Sequence, residues 1–183
     1  LAQQLADVAM LNELLAPFRI LTGIEVDILE DGTLDHGDAI LSQLDVVVAS
    51  VHSKLRMGSK EMTERMVRAV ANPHVDILGH CTGRLIGKRE PSTFDPDYVF
   101  AACAQFHTAV EINCRPERLD PPRPLLQMAV EYGCYFAIDS DAHATGQLEW
   151  QPLGCDRAAE VGVPLDRVLN TWPVDQLLAW VAG

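Results

Sequence analysis

Five apolar segments of this chain each lead into side chains that can bind a metal ion. The clearest begins at Tyr135, stays apolar to Ile138 and continues through Asp141 to His143. The other four cover residues 20–27, 46–52, 75–80 and 109–113, and they contain or end in Glu25, His52, His80 and Asn113. Short apolar runs of this kind are typical of strands buried in a parallel sheet. One such ending is expected by chance, whereas five in series predict a functional site.

Helical patterns separate these predicted strands. We expect helices over residues 1–15, 35–44, 59–71, 95–104, 125–132, 155–161 and 173–180, and a last short strand over residues 168–172. Ser59 and Asp95 are the expected N-caps of two of these helices. Strands that alternate with helices predict right-handed βαβ units and a parallel sheet. Because all carboxyl ends of such strands meet at one edge, the candidate ligands should converge there.

Composition limits the kind of protein that this chain can be. Its 183 residues are enough for one domain with a substantial core, and neither a repeat nor a long linker divides them. The net charge of −12 argues against a broad grip on nucleic acid backbone by this chain alone. The five cysteines include no CxxC pair, so no zinc ribbon is indicated. Without a signal peptide or a bilayer-length apolar run, we expect a cytoplasmic protein with no membrane partner.

The candidate ligands combine imidazole and carboxylate groups. Such a mixture suits zinc, manganese or iron better than magnesium or calcium. A lone buried histidine is usually a hydrogen-bonded core residue, but several at equivalent strand ends favour a metal site. Asp141 and His143 lie two residues apart, so an extended backbone would point both to one side. The expected metal ligands are Glu25, His52, His80, Asp141 and His143.

Hydrolysis of a phosphoester is the chemistry that these groups predict. A carboxylate among histidines can bridge two ions, and neighbouring ions can clamp a displacement at phosphorus. We expect Glu25, Asp141 and His143 to take part in catalysis. Substrate phosphate also needs hydrogen-bond donors, although any one of these is more often a surface or structural group. The candidate donors are Arg84, Asn113, Arg115 and Arg118, on loops at the same edge.

The motifs and their order resemble those of the PHP (polymerase and histidinol phosphatase) superfamily. They are TGIEVDIL at 22–29, VVASVHS at 47–53, NPHVDILGHCTGR at 72–84, EIN at 111–113 and IDSDAH at 138–143. The arrangement is most similar to the PHP domain of bacterial family-X DNA polymerases and its free-standing relatives. The resemblance covers almost all of the chain from Phe18 onward.

This resemblance implies a distorted (β/α)7 barrel with up to three zinc, manganese or iron ions that hydrolyses phosphoesters. It implies that Glu25 bridges two ions and that His52 and His80 complete one of the two sites. Asp141 would serve the site that Glu25 shares, and His143 would serve a third site.

The sequence departs from the family at its start, because no strand ends in His-x-His or Thr-Asp-His. We therefore expect a partial barrel that lacks the first two strands, the carboxyl-terminal portion of a PHP-type hydrolase domain. Only the set of Glu25, His52 and His80 keeps all its protein ligands. A fragment of this kind is not expected to be fully active by itself.

The leading interpretation is a metal-dependent phosphoesterase with a multinuclear metal centre. One alternative is the 3′-5′ exonuclease module of a family-X DNA polymerase, a DNA repair enzyme, with an upstream polymerase domain as its partner. A second is a catalytically incomplete, metal-stabilised scaffold with Trp150, Trp172 and Trp180 on a contact surface. Amide or deaminase-type hydrolysis is a weaker third alternative. The expected substrates are a small phosphoester or a nucleic-acid 3′ end, and the oligomeric state stays open.

Overall fold

Five parallel strands alternate with helices in the computed structural model, which describes residues 1–183. The strands are β1 Gly23–Asp27, β2 Val46–Ser50, β3 Ile77–Leu78, β4 Ala109–Asn113 and β5 Phe136–Asp139. The α-helices are α1 Ala2–Leu15, α2 Asp38–Leu41, α3 Ser59–Val70, α4 Pro96–Phe106, α5 Arg123–Glu131, α6 Gln151–Val161 and α7 Val174–Val181. None of these helices has the length and apolar character needed to cross a bilayer.

The strands form one open sheet in the order β1-β2-β3-β4-β5. Each strand pairs with the next in parallel, and β1 does not close onto β5. The predicted α/β class is therefore confirmed, and the open sheet is compatible with a partial barrel. The register places Glu25 beside Val48, Asp27 beside Ser50 and Asn113 beside Asp139.

Two apolar clusters cover the two faces of the sheet. The larger one contains Phe100, Met62 and Leu126 from the helices and Val47 and Ile112 from the strands, all of them buried. The smaller one covers the opposite face and consists of Ile77, Ala109, Ala137 and Leu169, with Tyr135, Trp172 and Trp180 packed against it.

The three tryptophans predicted to share a contact surface are partly buried and lie at two different places in the structure. Trp172 and Trp180 pack edge to face on Tyr135, with ring centroids 5.6 and 5.5 Å from the tyrosine ring. Trp150 packs separately against the larger cluster. Their apolar rings are therefore used within the chain at two different places.

The predicted last strand over residues 168–172 is also wrong. This segment forms 3₁₀ turns at Leu165–Arg167 and Leu169–Thr171, with a single bridge between Val168 and Phe136. The side chain of Asn170 explains the difference. It accepts a hydrogen bond from Ile138 N at 2.7 Å and donates one to Ile138 O at 3.1 Å. One side-chain amide thus satisfies the edge of β5 in place of a sixth strand.

Only one of the two predicted N-caps is confirmed. The Asp95 carboxylate accepts from Asp97 N at 3.1 Å and begins α4. Helix α3, by contrast, has Gly58 at its N-cap, and Ser59 is its first helical residue. The carboxylate of Glu61 folds back over Gly58 and occupies the space where a cap side chain would begin.

Asp76, next to β3, is a buried acid without a cationic partner. Burial raises the pKa of Asp76 to about 7, although a hydrogen bond from Val47 N at 2.7 Å lowers it in part. The folded chain therefore keeps a proton that the unfolded chain releases near pH 4. It follows that the folded state loses stability as the pH rises from about 4 to about 7.

The change Asp76→Asn is expected to stabilise the fold at alkaline pH, since an amide oxygen still accepts from Val47 N without a charge. Urea unfolding should show a gain of about 2–4 kcal/mol at about pH 8 and almost none at about pH 4. The exposed change Asp166→Asn is the control and should stay within about 0.5 kcal/mol. An Asp76→Asn gain that is the same at both pH values would contradict this explanation.

Candidate metal centre

Glu25, His52 and His80 bring three potential ligand atoms together at one edge of the sheet, all within 4.8 Å of one another. The Nε2 atoms of the two histidines are 3.1 Å apart. Glu25 Oε1 lies 3.5 Å from His52 Nε2 and 3.6 Å from His80 Nε2. His80 is buried, whereas the side chains of His52 and Glu25 are 37% and 39% exposed, so the cluster is open to solvent on one side.

The strands position these three side chains. Glu25 lies within β1, and its Oε1 accepts a hydrogen bond from the Ser50 hydroxyl of β2 at 2.7 Å. His52 and His80 follow the ends of β2 and β3. Gly79 allows this close arrangement, because a Cβ there would collide with the Ser50 hydroxyl and lie 2.9 Å from Val48 Cγ1.

Carboxylates hold the outer nitrogens of both imidazoles. His52 Nδ1 lies 2.5 Å from Asp27 Oδ1, and His80 Nδ1 lies 3.3 Å from Glu111 Oε2. Carboxylates in these positions orient metal-binding histidines in many proteins. Both rings therefore direct Nε2 toward Glu25.

The three groups also change each other's pKa values. Partial burial alone would raise the pKa of Glu25, but contacts with His52 and Ser50 and the charge of His80 lower it to about 2. The contact with Glu25 raises the pKa of His52 to about 9, with partial burial opposing and Asp27 reinforcing the shift. Glu25 is therefore ionised over the whole physiological range, as a metal ligand must be.

The spacing of this cluster fits a single divalent ion. Tetrahedral ligands at about 2.0–2.2 Å from zinc are separated from each other by roughly 3.3–3.6 Å. The observed separations of 3.1, 3.5 and 3.6 Å lie close to that range. Two imidazoles and one carboxylate also leave a coordination position for water or substrate, as in catalytic sites.

The predicted extended backbone at Asp141 and His143 is wrong. β5 ends at Asp139, opposite the last residue of β4, and Asp141 has a left-handed φ of +51°. The His143 ring is 66% exposed, and its Nδ1 contacts Asp141 O at 2.9 Å. These two residues follow the same sheet edge but lie outside the Glu25, His52 and His80 cluster.

Three of the predicted phosphate donors surround Asp141. Asn113 Nδ2 donates to Asp141 Oδ2 at 3.2 Å, and Arg118 Nε lies 3.2 Å from the same oxygen. Arg115 Nη1 lies 3.9 Å from it. Neither arginine aligns a hydrogen bond at its Nε, and Arg118 Nη1 also has no acceptor. Both Nε atoms nevertheless face carboxylates, since Arg115 Nε lies 3.4 Å from Glu117 Oε2, so Arg118 Nη1 is the buried N–H group that remains available to an anion.

The fourth predicted donor, Arg84, has other partners. Its Nε donates to Arg118 O at 2.7 Å, and its Nη2 donates to Leu119 O. Arg84 therefore fixes the loop that carries Arg118.

Two buried charged residues near the site were not singled out from the sequence. Glu111 lies inside β4, and Arg65 of α3 donates to the carbonyls of Ile28, Leu29 and Ser53. A charged residue in the apolar run Ala-Val-Glu-Ile-Asn was a usable signal for Glu111, because alternation places it on the same face as Asn113. No sequence pattern indicates the carbonyl acceptors of Arg65.

Asp139, at the end of β5, completes the group of acids beside Glu111 and Asp141. Burial, and then repulsion from Glu111 and Asp141, raises its pKa. Asp139 is therefore harder to ionise than an ordinary aspartate, and a cation bound nearby would favour its charged form.

The chain is similar to one DNA polymerase/3′-5′ exonuclease and to several probable phosphatases. The chain is 39% identical over 170 residues to the DNA polymerase/3′-5′ exonuclease PolX of Bacillus subtilis, which covers 93% of this chain and 30% of that protein. It is 30% identical over 172 residues to a probable phosphatase of Thermoanaerobacter sp., which covers 88% of this chain and 68% of that protein. A probable phosphatase of Aliivibrio fischeri is 26% identical over 163 residues, with 84% and 63% covered. No family model matches the chain.

Proposed function

Because the chain belongs to the PHP (polymerase and histidinol phosphatase) superfamily, we propose that it is a metal-dependent phosphoesterase. The convergence of Glu25, His52 and His80 is the observation that carries this proposal. We assign residues 1–183 to the carboxyl-terminal portion of a PHP-type hydrolase domain, on the order of the motifs. The chain spans only part of its relatives, so the activity of the whole protein belongs to the proposal.

The proposed metal ligands are, first, the three residues of the Glu25, His52 and His80 cluster. Glu25, His52 and His80 would hold one zinc, manganese or iron ion, and Asp141 and His143 would contribute to further ions of a multinuclear centre. Such ions would supply Lewis-acid stabilisation of the phosphoryl group and an activated water. In support, Asp141 lies at the same sheet edge and is linked to His80 through Asn113 and Glu111.

The arginines supply the other half of the proposed site. Arg115 and Arg118 would bind the phosphate of the substrate, and the Nη1 group of Arg118, which lacks an acceptor in the chain, is the donor that supports this role. Asn113 is fully buried and already donates to two carboxylates, so its role in the site is to fix Asp141. Arg84 would act through the loop that it holds.

Two substrate classes follow from two different observations. The net charge of −12 favours a small phosphoester, because this chain offers no broad basic surface for nucleic acid. The 39% identity to PolX favours a nucleic-acid 3′ end, with a linked polymerase domain supplying the affinity for DNA. The amino-acid sequence of the site is compatible with both.

The experiment tests whether the natural protein that carries this sequence hydrolyses either of two substrates. Hydrolysis of p-nitrophenyl phosphate and of a 3′-labelled single-stranded oligonucleotide is measured with added Mn²⁺ or Zn²⁺ and with a chelator. We expect metal-dependent turnover of at least one substrate, and loss of that turnover in His52→Ala. No turnover of either would overturn the proposal. Full turnover by His52→Ala, with a lowered melting temperature, would favour the scaffold alternative.

A further inference from the structure

Glu111 is a buried carboxylate that no lysine or arginine neutralises. It lies in the middle of β4 with 5% of its surface exposed, and its ion-pair partner is His80. Burying a carboxylate is costly unless specific donors satisfy it. Its contacts therefore indicate what this position is for.

One oxygen of Glu111 is directed entirely at His80. Glu111 Oε2 accepts from the backbone N–H of His80 and lies 3.3 Å from Nδ1 of the same residue. A neutral imidazole carries one N–H, and a carboxylate beside Nδ1 places that proton on Nδ1. The Nε2 lone pair is then left facing Glu25 Oε1 and His52 Nε2.

The other oxygen of Glu111 connects to the second half of the site. Asn113 Nδ2 donates to Glu111 Oε1 at 3.3 Å and to Asp141 Oδ2 at 3.2 Å. The orientation of this amide is fixed, because its Oδ1 accepts from Arg115 N at 3.0 Å. Alternation along β4 places Glu111 and Asn113 on one face, so a continuous hydrogen-bond chain joins His80 to Asp141.

We propose that Glu111 is a positioning residue that holds the imidazole of His80 as the Nδ1–H tautomer, and that Asn113 extends the same chain to Asp141. This inference rests on the proposed metal-binding function, which it deepens. These hydrogen bonds direct the Nε2 lone pair of His80 toward Glu25 and His52 before an ion binds. It also couples the orientation of Asp141 to that of His80. Outer partners of this kind typically change metal affinity by about 10–100-fold.

A wild-type measurement tests the tautomer without any variant. Nitrogen-15 spectra of the histidine rings in metal-free protein, at mildly alkaline pH, distinguish Nδ1–H from Nε2–H imidazole. The His80 ring signals are assigned in the wild-type protein by through-bond correlations to the backbone amide of His80. We expect His80 to be the Nδ1–H tautomer, in contrast to the Nε2–H form that exposed histidines prefer. An Nε2–H result for His80 would overturn the inference even if every variant failed to fold.

The second test measures the affinity of the wild type and of variants for Co²⁺ and Zn²⁺, by competition with a chromophoric chelator. In Glu111→Gln, one amide cannot accept from both His80 and Asn113, because one end carries only donors. We expect affinity to fall about 10–100-fold. The control is Glu131→Gln at the exposed end of α5, which should bind like the wild type.

The outcomes separate the inference from the proposed function. Equal affinities of wild type and Glu111→Gln, with metal bound by both, would overturn the inference alone. A wild type that binds neither ion would overturn the proposed function and, with it, the role assigned to Glu111.

Discussion

Replacing His52 with alanine is expected to weaken the binding of Zn²⁺ or Mn²⁺ by at least about 100-fold. The reason is that His52 supplies one of only three convergent ligand atoms. Partners outside the ligand set already contribute about 10–100-fold, and removal of a ligand should exceed that. The measurement is a competition titration with a chromophoric chelator, and activity should fall in parallel.

The His52 variant is chosen because the change should not unfold the chain. The side chain of His52 is 37% exposed, whereas that of His80 is 2% exposed and holds Glu111. His36→Ala is the matched control, since the His36 side chain is 36% exposed, almost as much as that of His52, and pairs with Asp35 at 3.0 Å, outside the cluster. Equal metal affinities for His52→Ala and His36→Ala would show that the cluster is not the binding site.

Replacing Arg65 with methionine is expected to reduce the free energy of unfolding by about 3 kcal/mol. The Arg65 guanidinium is almost fully buried and donates to Leu29 O at 2.8 Å, to Ser53 O at 2.9 Å and to Ile28 O. Methionine keeps the apolar stem but leaves these carbonyls without donors, and each buried unsatisfied acceptor costs about 1–3 kcal/mol. Relief of the buried charge offsets part of that cost.

A melting experiment measures the effect. For a domain of this size about 3 kcal/mol corresponds to a fall of roughly 6–12 °C. Arg68→Met, one helical turn away, is the matched control, because the Arg68 side chain is 60% exposed and contacts only the Asp31 segment. It should change stability by less than about 1 kcal/mol. Similar losses in the two variants would mean that the carbonyl contacts of Arg65 are not the cause.

Replacement of Arg65 is also expected to disturb the proposed metal site. Its acceptors lie directly after β1 and one residue after His52, so one side chain ties together the segments that carry Asp27 and His52. Metal affinity in Arg65→Met should therefore fall even at temperatures where the variant is folded.

The sequence predicts those parts of the site that depend on strand order. Glu25, His52 and His80 lie on or directly after apolar strands, and parallel pairing places such positions at one edge. Asp141 and His143 are less predictable, because β5 has no paired partner beyond Asp139 and the backbone turns there. The direction of a side chain after the last paired residue depends on loop contacts that no periodicity records.

The fold shows the same division. Apolar runs between helical segments predict all five strands of the sheet. The run over residues 168–172 has the composition of a strand but does not form one. Its place at the edge of β5 is decided by the side chain of Asn170, which bonds to Ile138. Likewise, the acceptors of Arg65 lie 12 to 37 residues away along the chain and appear only when the loops are folded.

The most direct test of the metal centre is the number of ions bound per chain. Protein is purified without chelator, equilibrated with Zn²⁺ or Mn²⁺, freed of excess ion and analysed by elemental mass spectrometry, with His52→Ala in parallel. The cluster of Glu25, His52 and His80 predicts at least about one tightly bound ion per chain and a clear loss in the variant. No stoichiometric ion on the wild-type chain, or the same content in His52→Ala, would contradict the assignment of this cluster as a metal site.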